Sequence, residues 1–186
     1  MKILGIDPGT RFCGYALIED EPLNVVESGT WKFPQKLDVY ERILMLGDKV
    51  REIFETHLPE ALSIEKAFVG KNPQTALKLG EARGVVLGVA FSKKIIVRQY
   101  EPAVVKQATT NSHKAKKEQV AYMMGQIFKI EEFSTDDESD ALAVAYTFST
   151  RYKAELIGGK PNGKKVEKKT KRGKNFNKHG KWKGRG

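Results

Sequence analysis

Four carboxylates stand where this sequence gives a charge least room. Ile3-Leu4-Gly5-Ile6 runs apolar into Asp7 before Pro8-Gly9 breaks the chain, and Ala61-Leu62-Ser63-Ile64 runs into Glu65 in the same way. Asp140 opens the apolar stretch Ala141-Leu142-Ala143-Val144-Ala145, with Asp136, Asp137 and Glu138 one turn before it. On a helix Asp136 lies about 40° and Asp137 about 60° from Asp140, while Glu138 points nearly opposite. Spacing therefore leaves both Asp136 and Asp137 open as the fourth member.

Any one of these acids has an ordinary explanation as a cap, a turn or a salt bridge, and acids are commonplace on the first turn of a helix because they favour its dipole. Gathered together they are not ordinary. A desolvated carboxylate is costly without a compensating group, and the sequence places no arginine group beside them as an alternative to a metal. Hard oxygen donors select Mg²⁺ or Mn²⁺, and no Cys/His spacing suits zinc. Two such ions roughly 4 Å apart can activate water for in-line attack on a phosphodiester and stabilise the leaving oxygen. A lysine such as Lys117 would offset charge on the phosphate. The chemistry expected is that of a metal-dependent nuclease.

The elements that must carry these groups follow from periodicity. Asp7 ends a strand apolar on both faces, hence a buried central one. Phe12–Ile18 and Leu23–Trp31 read as two more strands, joined to the first as an antiparallel meander. From Asp38 to His57, Val39, Ile43, Leu46, Val50, Ile53 and Phe54 keep the three-to-four spacing of an amphipathic helix. Asn72-Pro73 caps a helix expected to reach Phe91. Gly80, Gly84 and Gly88 line one face of it, where either the sheet or a second subunit could pack closely. Lys94–Gln99 reads as the last strand, Pro102–Ala108 as a short helix and Thr109–His113 as a link. Lys114, Lys116 and Lys117 open a further helix through Met124. Thr135 and Glu138 form a capping box for the final, buried helix.

Charge divides the chain. The net charge is +10, and from Gly158 onward there are 12 Lys and Arg against the single acid Glu167, which leaves 21 bases against 22 acids before it. Residues 157–186 read as a basic tail unable to fold alone, with Phe176 and Trp182 suited to stacking on exposed bases. Residues 1–156 read as one nuclease domain. The lone Cys13 sits in an apolar run, where a buried reduced thiol is expected. No apolar run is of membrane-spanning length and no signal-peptide pattern opens the chain, so the expectation is a cytoplasmic protein without membrane contact.

Several separate motifs, in order, carry a resemblance. Ile6-Asp7-Pro8-Gly9-Thr10, Ile64-Glu65-Lys66-Ala67-Phe68, Ala76-Leu77-Lys78-Leu79-Gly80-Glu81-Ala82-Arg83-Gly84, Lys117-Glu118-Gln119-Val120 and Asp137-Glu138-Ser139-Asp140-Ala141-Leu142-Ala143 resemble the RuvC family over about residues 1–155. RuvC proteins are bacterial Holliday-junction resolvases of the RNase H-like fold. The resemblance implies an α/β fold, a five-stranded mixed sheet with helices on both faces. It implies a homodimer that cuts a four-way DNA junction symmetrically in recombination and repair, alongside the RuvA and RuvB branch-migration proteins. It assigns Asp7, Glu65, Asp137 and Asp140 as the catalytic, metal-binding set for two Mg²⁺ ions, with Mn²⁺ as a substitute. Phe68 matches the aromatic that stacks on an unpaired junction base, and Lys106 and Lys117 match phosphate-binding lysines. Lys114, from the same basic cluster, is placed with them as nucleic-acid-binding. The helix from Asn72 matches the dimer helix. Thr109–His113 differs from the glycine-containing loop usual before the Lys-Glu-Gln-Val motif.

Two rivals belong to other classes. Asp7-Pro8-Gly9-Thr10 also suits the opening of an actin-like ATPase, which would need a second half and a second phosphate loop that this chain lacks. A non-catalytic junction or single-strand DNA binder with a resolvase-like body is the alternative, but metal-free carboxylates facing DNA would repel it.

Overall fold

The computed structural model describes residues 1–66 and 72–158. The meander is β1 (Lys2–Asp7), β2 (Phe12–Asp20) and β3 (Leu23–Lys32). Then come α1 (Val39–His57), β4 (Ala61–Glu65), α2 (Pro73–Ser92), β5 (Ile96–Tyr100), α3 (Pro102–Thr110), α4 (Lys117–Phe128) and α5 (Asp136–Gly158). Sheet order is β3-β2-β1-β4-β5, antiparallel through β1–β2 and β2–β3 and parallel through β1–β4 and β4–β5. β1 is the central strand, with Ile3, Leu4 and Ile6 fully buried, as its two-faced apolarity requires.

Alternation along the strands divides the core in two. Leu4, Ile6, Leu62 and Ile64 pack with α1 and α2 on one face. Ile3, Ala16, Ala61 and the buried side of α5 pack on the other, with α3 and α4 outside them. Helices thus cover both faces of a mixed five-stranded sheet, as expected. Cys13 is buried and unpaired.

Close backbone approach seats α5. A Cβ on Gly5 would overlap the Ala141 carbonyl, and one on Gly14 would overlap the carbonyl of Asp137. The Ser63 hydroxyl donates to the Val144 carbonyl at 2.7 Å and fixes β4 to the same helix. The first turn of α5 is held on its other side by Glu138. Its carboxylate accepts from the Ser28 hydroxyl at 2.6 Å and from the Ser134 amide and hydroxyl at 2.9 and 2.7 Å. The expected capping box is therefore half formed. Thr135 does accept the Glu138 amide at 3.2 Å, but the Glu138 side chain reaches one residue further back, to Ser134.

Other boundaries shift for local reasons. β5 begins at Ile96 because Lys94, with φ of 56°, belongs to the turn that leaves α2. α3 extends to Thr110, its buried Thr109 hydroxyl donating to the Val105 carbonyl at 2.9 Å. α4 starts at Lys117 and runs on to Phe128; Lys114 lies in the turn before it, since Ala115 is drawn into the core. Asn72 caps α2 as expected, accepting from the Gln74 and Thr75 amides at 3.0 and 3.3 Å. Among the described residues, Gly80, Gly84 and Gly88 have nothing within 4 Å of where a Cβ would lie. The sheet is thereby removed as their close-packed neighbour.

Candidate active site

β1 and β4 run side by side in parallel with Ile6 opposite Ile64, so Asp7 and Glu65 emerge together at the carboxyl ends of adjacent strands. That edge, where the antiparallel half of the sheet meets the parallel half, is where open α/β sheets expose their ligands. Across β1, Asp7 pairs with Gly14, the glycine that receives the Asp137 carbonyl. One register thus places the end of β1 beneath the first turn of α5. Asp140 follows one turn later and, with Asp7 and Glu65, lines a cleft of about 350 Å³ bordered by Lys106 and Lys117.

The acids are one another's neighbours. Burial, then the charges of Asp140, Glu65 and Asp137, push the Asp7 carboxyl up to about 7, against a smaller opposing effect of Lys117. Burial and then Asp140 raise Glu65, with Lys117, Arg83 and Lys106 opposing. Asp140 is raised by burial, although Lys117 Nζ lies 2.6 Å from its Oδ2. Burial pulls the Lys117 ammonium down, but the hydrogen bond to Asp140 raises it overall. Glu138 shows the contrary case: burial would raise it, and its bonds from Ser134 and Ser28 hold it below the usual carboxylate range.

The residues singled out in the sequence divide accordingly. Asp137 acts on both Asp7 and Asp140, whereas the exposed Asp136 acts on Asp140 after Asp137, and on Lys117. Lys106, on α3, is half-buried at the cleft. Lys117 is the first residue of α4, and Lys114 is exposed in the preceding turn. Phe68 lies outside the described residues.

One expectation is corrected. An arginine does face the cluster: Arg83 of α2 is only 7% exposed, and Glu65 is the opposing charge that acts on its guanidinium. Its Nη2 donates to Gln99 Oε1 at 2.8 Å, while Nη1 finds no partner among the described residues. The sequence signal was an arginine set directly before the apolar, glycine-bearing run Gly84-Val85-Val86-Leu87-Gly88. Gly5 and Gly14 were also missed, although glycine within an apolar strand marks close backbone approach.

The donor set is all oxygen and short of cations, which fits a hard divalent ion. Among the described residues no three His, Cys, Asp or Glu side chains form a ready-made cage. An open arrangement of this kind suits Mg²⁺, which keeps several waters and is commonly held by one or two carboxylates together with substrate phosphate.

Comparison with known proteins gives a consistent result. Residues 3–148 match the family model described as crossover junction endodeoxyribonuclease RuvC. A RuvC from Halorhodospira halophila is 39% identical over 145 residues, 77% of this chain and 87% of the relative. One from Aliarcobacter butzleri is 40% identical over 159 residues, 81% and 99% respectively. The structure of Thermus thermophilus RuvC in complex with a Holliday junction substrate superposes with a TM-score of 0.77 at 30% identity, covering 83% of this chain and 96% of that one.

Proposed function

Because the chain belongs to the RuvC family of crossover junction endodeoxyribonucleases, we propose that it resolves four-way DNA junctions by symmetric, metal-dependent phosphodiester hydrolysis. It is a nuclease of the RNase H-like fold, acting in recombination and repair. The observation that carries the reading to the site is Asp7, a carboxyl pushed up to about 7 in a cleft where Glu65 and Asp140 meet two lysines and Asp137 lies near enough to act on it.

Asp7, Glu65, Asp137 and Asp140 would hold two Mg²⁺ ions, or Mn²⁺ in their place. When bound, such ions lower the pKa of water and stabilise charge on the phosphate. The chain's own groups do the rest. The apolar ends of β1 and β4 hold Asp7 and Glu65 rigidly, and Gly14 and Ser63 fix the helix that brings Asp137 and Asp140 to them. Lys117 balances Asp140 until substrate arrives and, with Lys106 and Lys114, receives backbone phosphates. Phe68 would stack on an unpaired junction base.

Symmetric cutting needs two sites, and the open glycine face of α2 supports a homodimer. RuvA and RuvB are the branch-migration partners this reading implies. No described helix is long and apolar enough to cross a membrane, and the cytoplasm, where the DNA is, is the proposed site of action. We assign residues 1–156 as the nuclease domain and the basic segment 157–186 as a DNA-binding tail.

Full-length protein should nick a synthetic four-way junction only with Mg²⁺ or Mn²⁺, and Asp7→Asn should bind the junction without cutting it. Cleavage persisting in chelator, or in Asp7→Asn, would sink the mechanism. Truncation at Gly158 should weaken junction binding and flatten its salt dependence, because phosphate contacts release counterions. An unchanged salt slope would show that the tail is no DNA arm.

A further inference from the structure

The acid cluster has cations on the side where α3 and α4 lie, and the sheet presents a second set on the other. Along β2 the side chains alternate, and Gly14, beneath Asp137, marks the face that α5 covers. Phe12 lies on that face two residues nearer the open end, about 7 Å further out. Its partner in register is Lys32 of β3. Lys32 belongs to the same face, since Ser28, four residues before it, bonds Glu138, and Thr30, two before it, bonds Thr135. Arg11 completes the group, its guanidinium carbon 5.9 Å from the centre of the Phe12 ring. Phe12 is 46% exposed, Arg11 and Lys32 are exposed, and neither cation is ion-paired among the described residues. An exposed ring with one unpaired cation over it and a second on the residue paired with it across the strands, at the rim of a cleft that cuts DNA, matches a nucleic-acid strand: charge for phosphate, aromatic surface for sugar or base.

We propose that Arg11, Phe12 and Lys32 form a second DNA contact, which takes the junction strand as it leaves the acid cluster on the side away from Lys106 and Lys117. Arg11 and Lys32 neutralise phosphates and Phe12 packs against the nucleotide between them. The inference rests on the junction-nuclease reading, and it gives the strand a path across the site with cations at both ends.

The test is junction binding by the full-length chain in Ca²⁺ across a salt series, comparing wild type, Arg11→Gln/Lys32→Gln, Phe12→Ala, and a control pair, Lys93→Gln/Lys94→Gln, at the opposite end of the sheet. Loss of two phosphate contacts should lower the slope of log K against log salt by about 1.8, at 0.9 per contact. The control pair should leave the slope unchanged. Phe12→Ala should weaken binding roughly 5-fold or more at an unchanged slope. An unaltered slope in the Arg11/Lys32 variant, or an equal loss in the control pair, overturns the contact. Wild-type protein that binds a junction no better than linear duplex overturns the junction reading as well, and that failure shows in the wild type itself.

Discussion

The two sides of the first turn of α5 carry carboxylates of opposite character. On the side facing β3, Glu138 is surrounded by donors from Ser28 and Ser134 and is held ionised. On the side facing β1, Asp137 and Asp140 meet Asp7 and Glu65, and each of Asp7, Glu65 and Asp140 is pushed toward its neutral form. Both sides are partly buried and only residues apart, so burial does not separate them. What separates them is whether the protein supplies hydrogen-bond donors or more carboxylates. An acid satisfied by donors needs nothing further; acids that raise one another need a cation from outside.

The contrast is sharpest in catalysis. Asp140→Asn should lower single-turnover junction cleavage by more than about 10³-fold, beyond the loss of one oxyanion donor. Glu138→Gln, which keeps an acceptor for the serines, should cut within about 10-fold of wild type, as expected of a group that supports the site without touching substrate. Equal losses in both would erase the distinction.

Thermal melts in chelator should then show effects of opposite sign. Asp7 has a folded pKa near 7 against an ordinary value of 3.8, so the folded chain binds the extra proton between those values and stability falls as pH rises through that window. Asp7→Asn should therefore stabilise at pH 8, with an upper bound of about 4 kcal/mol, and the gain should vanish as pH falls well below the ordinary value of 3.8, where both states are protonated. Saturating Mg²⁺ should remove the advantage by stabilising wild type. Glu138 has a lowered pKa, so its contribution is present above the usual glutamate range and is lost as pH falls. Glu138→Gln should cost about 1 kcal/mol at pH 8, the difference between a charged and a neutral acceptor, and almost nothing in acid. Shifts of the same sign in both variants would mean that the two environments do not differ in this way.

Much of this was legible in the residues. Apolar runs ending in Asp7 and Glu65 gave two strands and their acids, the first because an apolar run stopped by Pro8-Gly9 has few other readings and the second because it repeats that pattern. The order of motifs gave the family, and with it the mixed sheet and its two helical layers. Helix geometry turned Glu138 away from Asp140, and its side chain does point to Ser28 and Ser134. Less was legible where the determinant was non-local. Lys94 leaves β5 because of a turn conformation, and Lys114 leaves α4 because Ala115 is needed in the core, and neither cause appears in local periodicity.

The sequence by itself determined which residues are acids at strand ends, which helix is buried nearly all round and where the positive charge accumulates, since these are properties of composition and local period. Only the tertiary structure decided what each charge faces. Gly14 opposite Asp7, with the Asp137 carbonyl against it, makes α5 and β1 a single site. The same folding brings Arg83 toward Glu65 and Lys117 onto Asp140, and leaves Gly80, Gly84 and Gly88 without a close neighbour among the described residues. Electrostatic energy falls with distance through space, not along the chain. The partners of a carboxylate therefore become known only when the strands and helices are set in register.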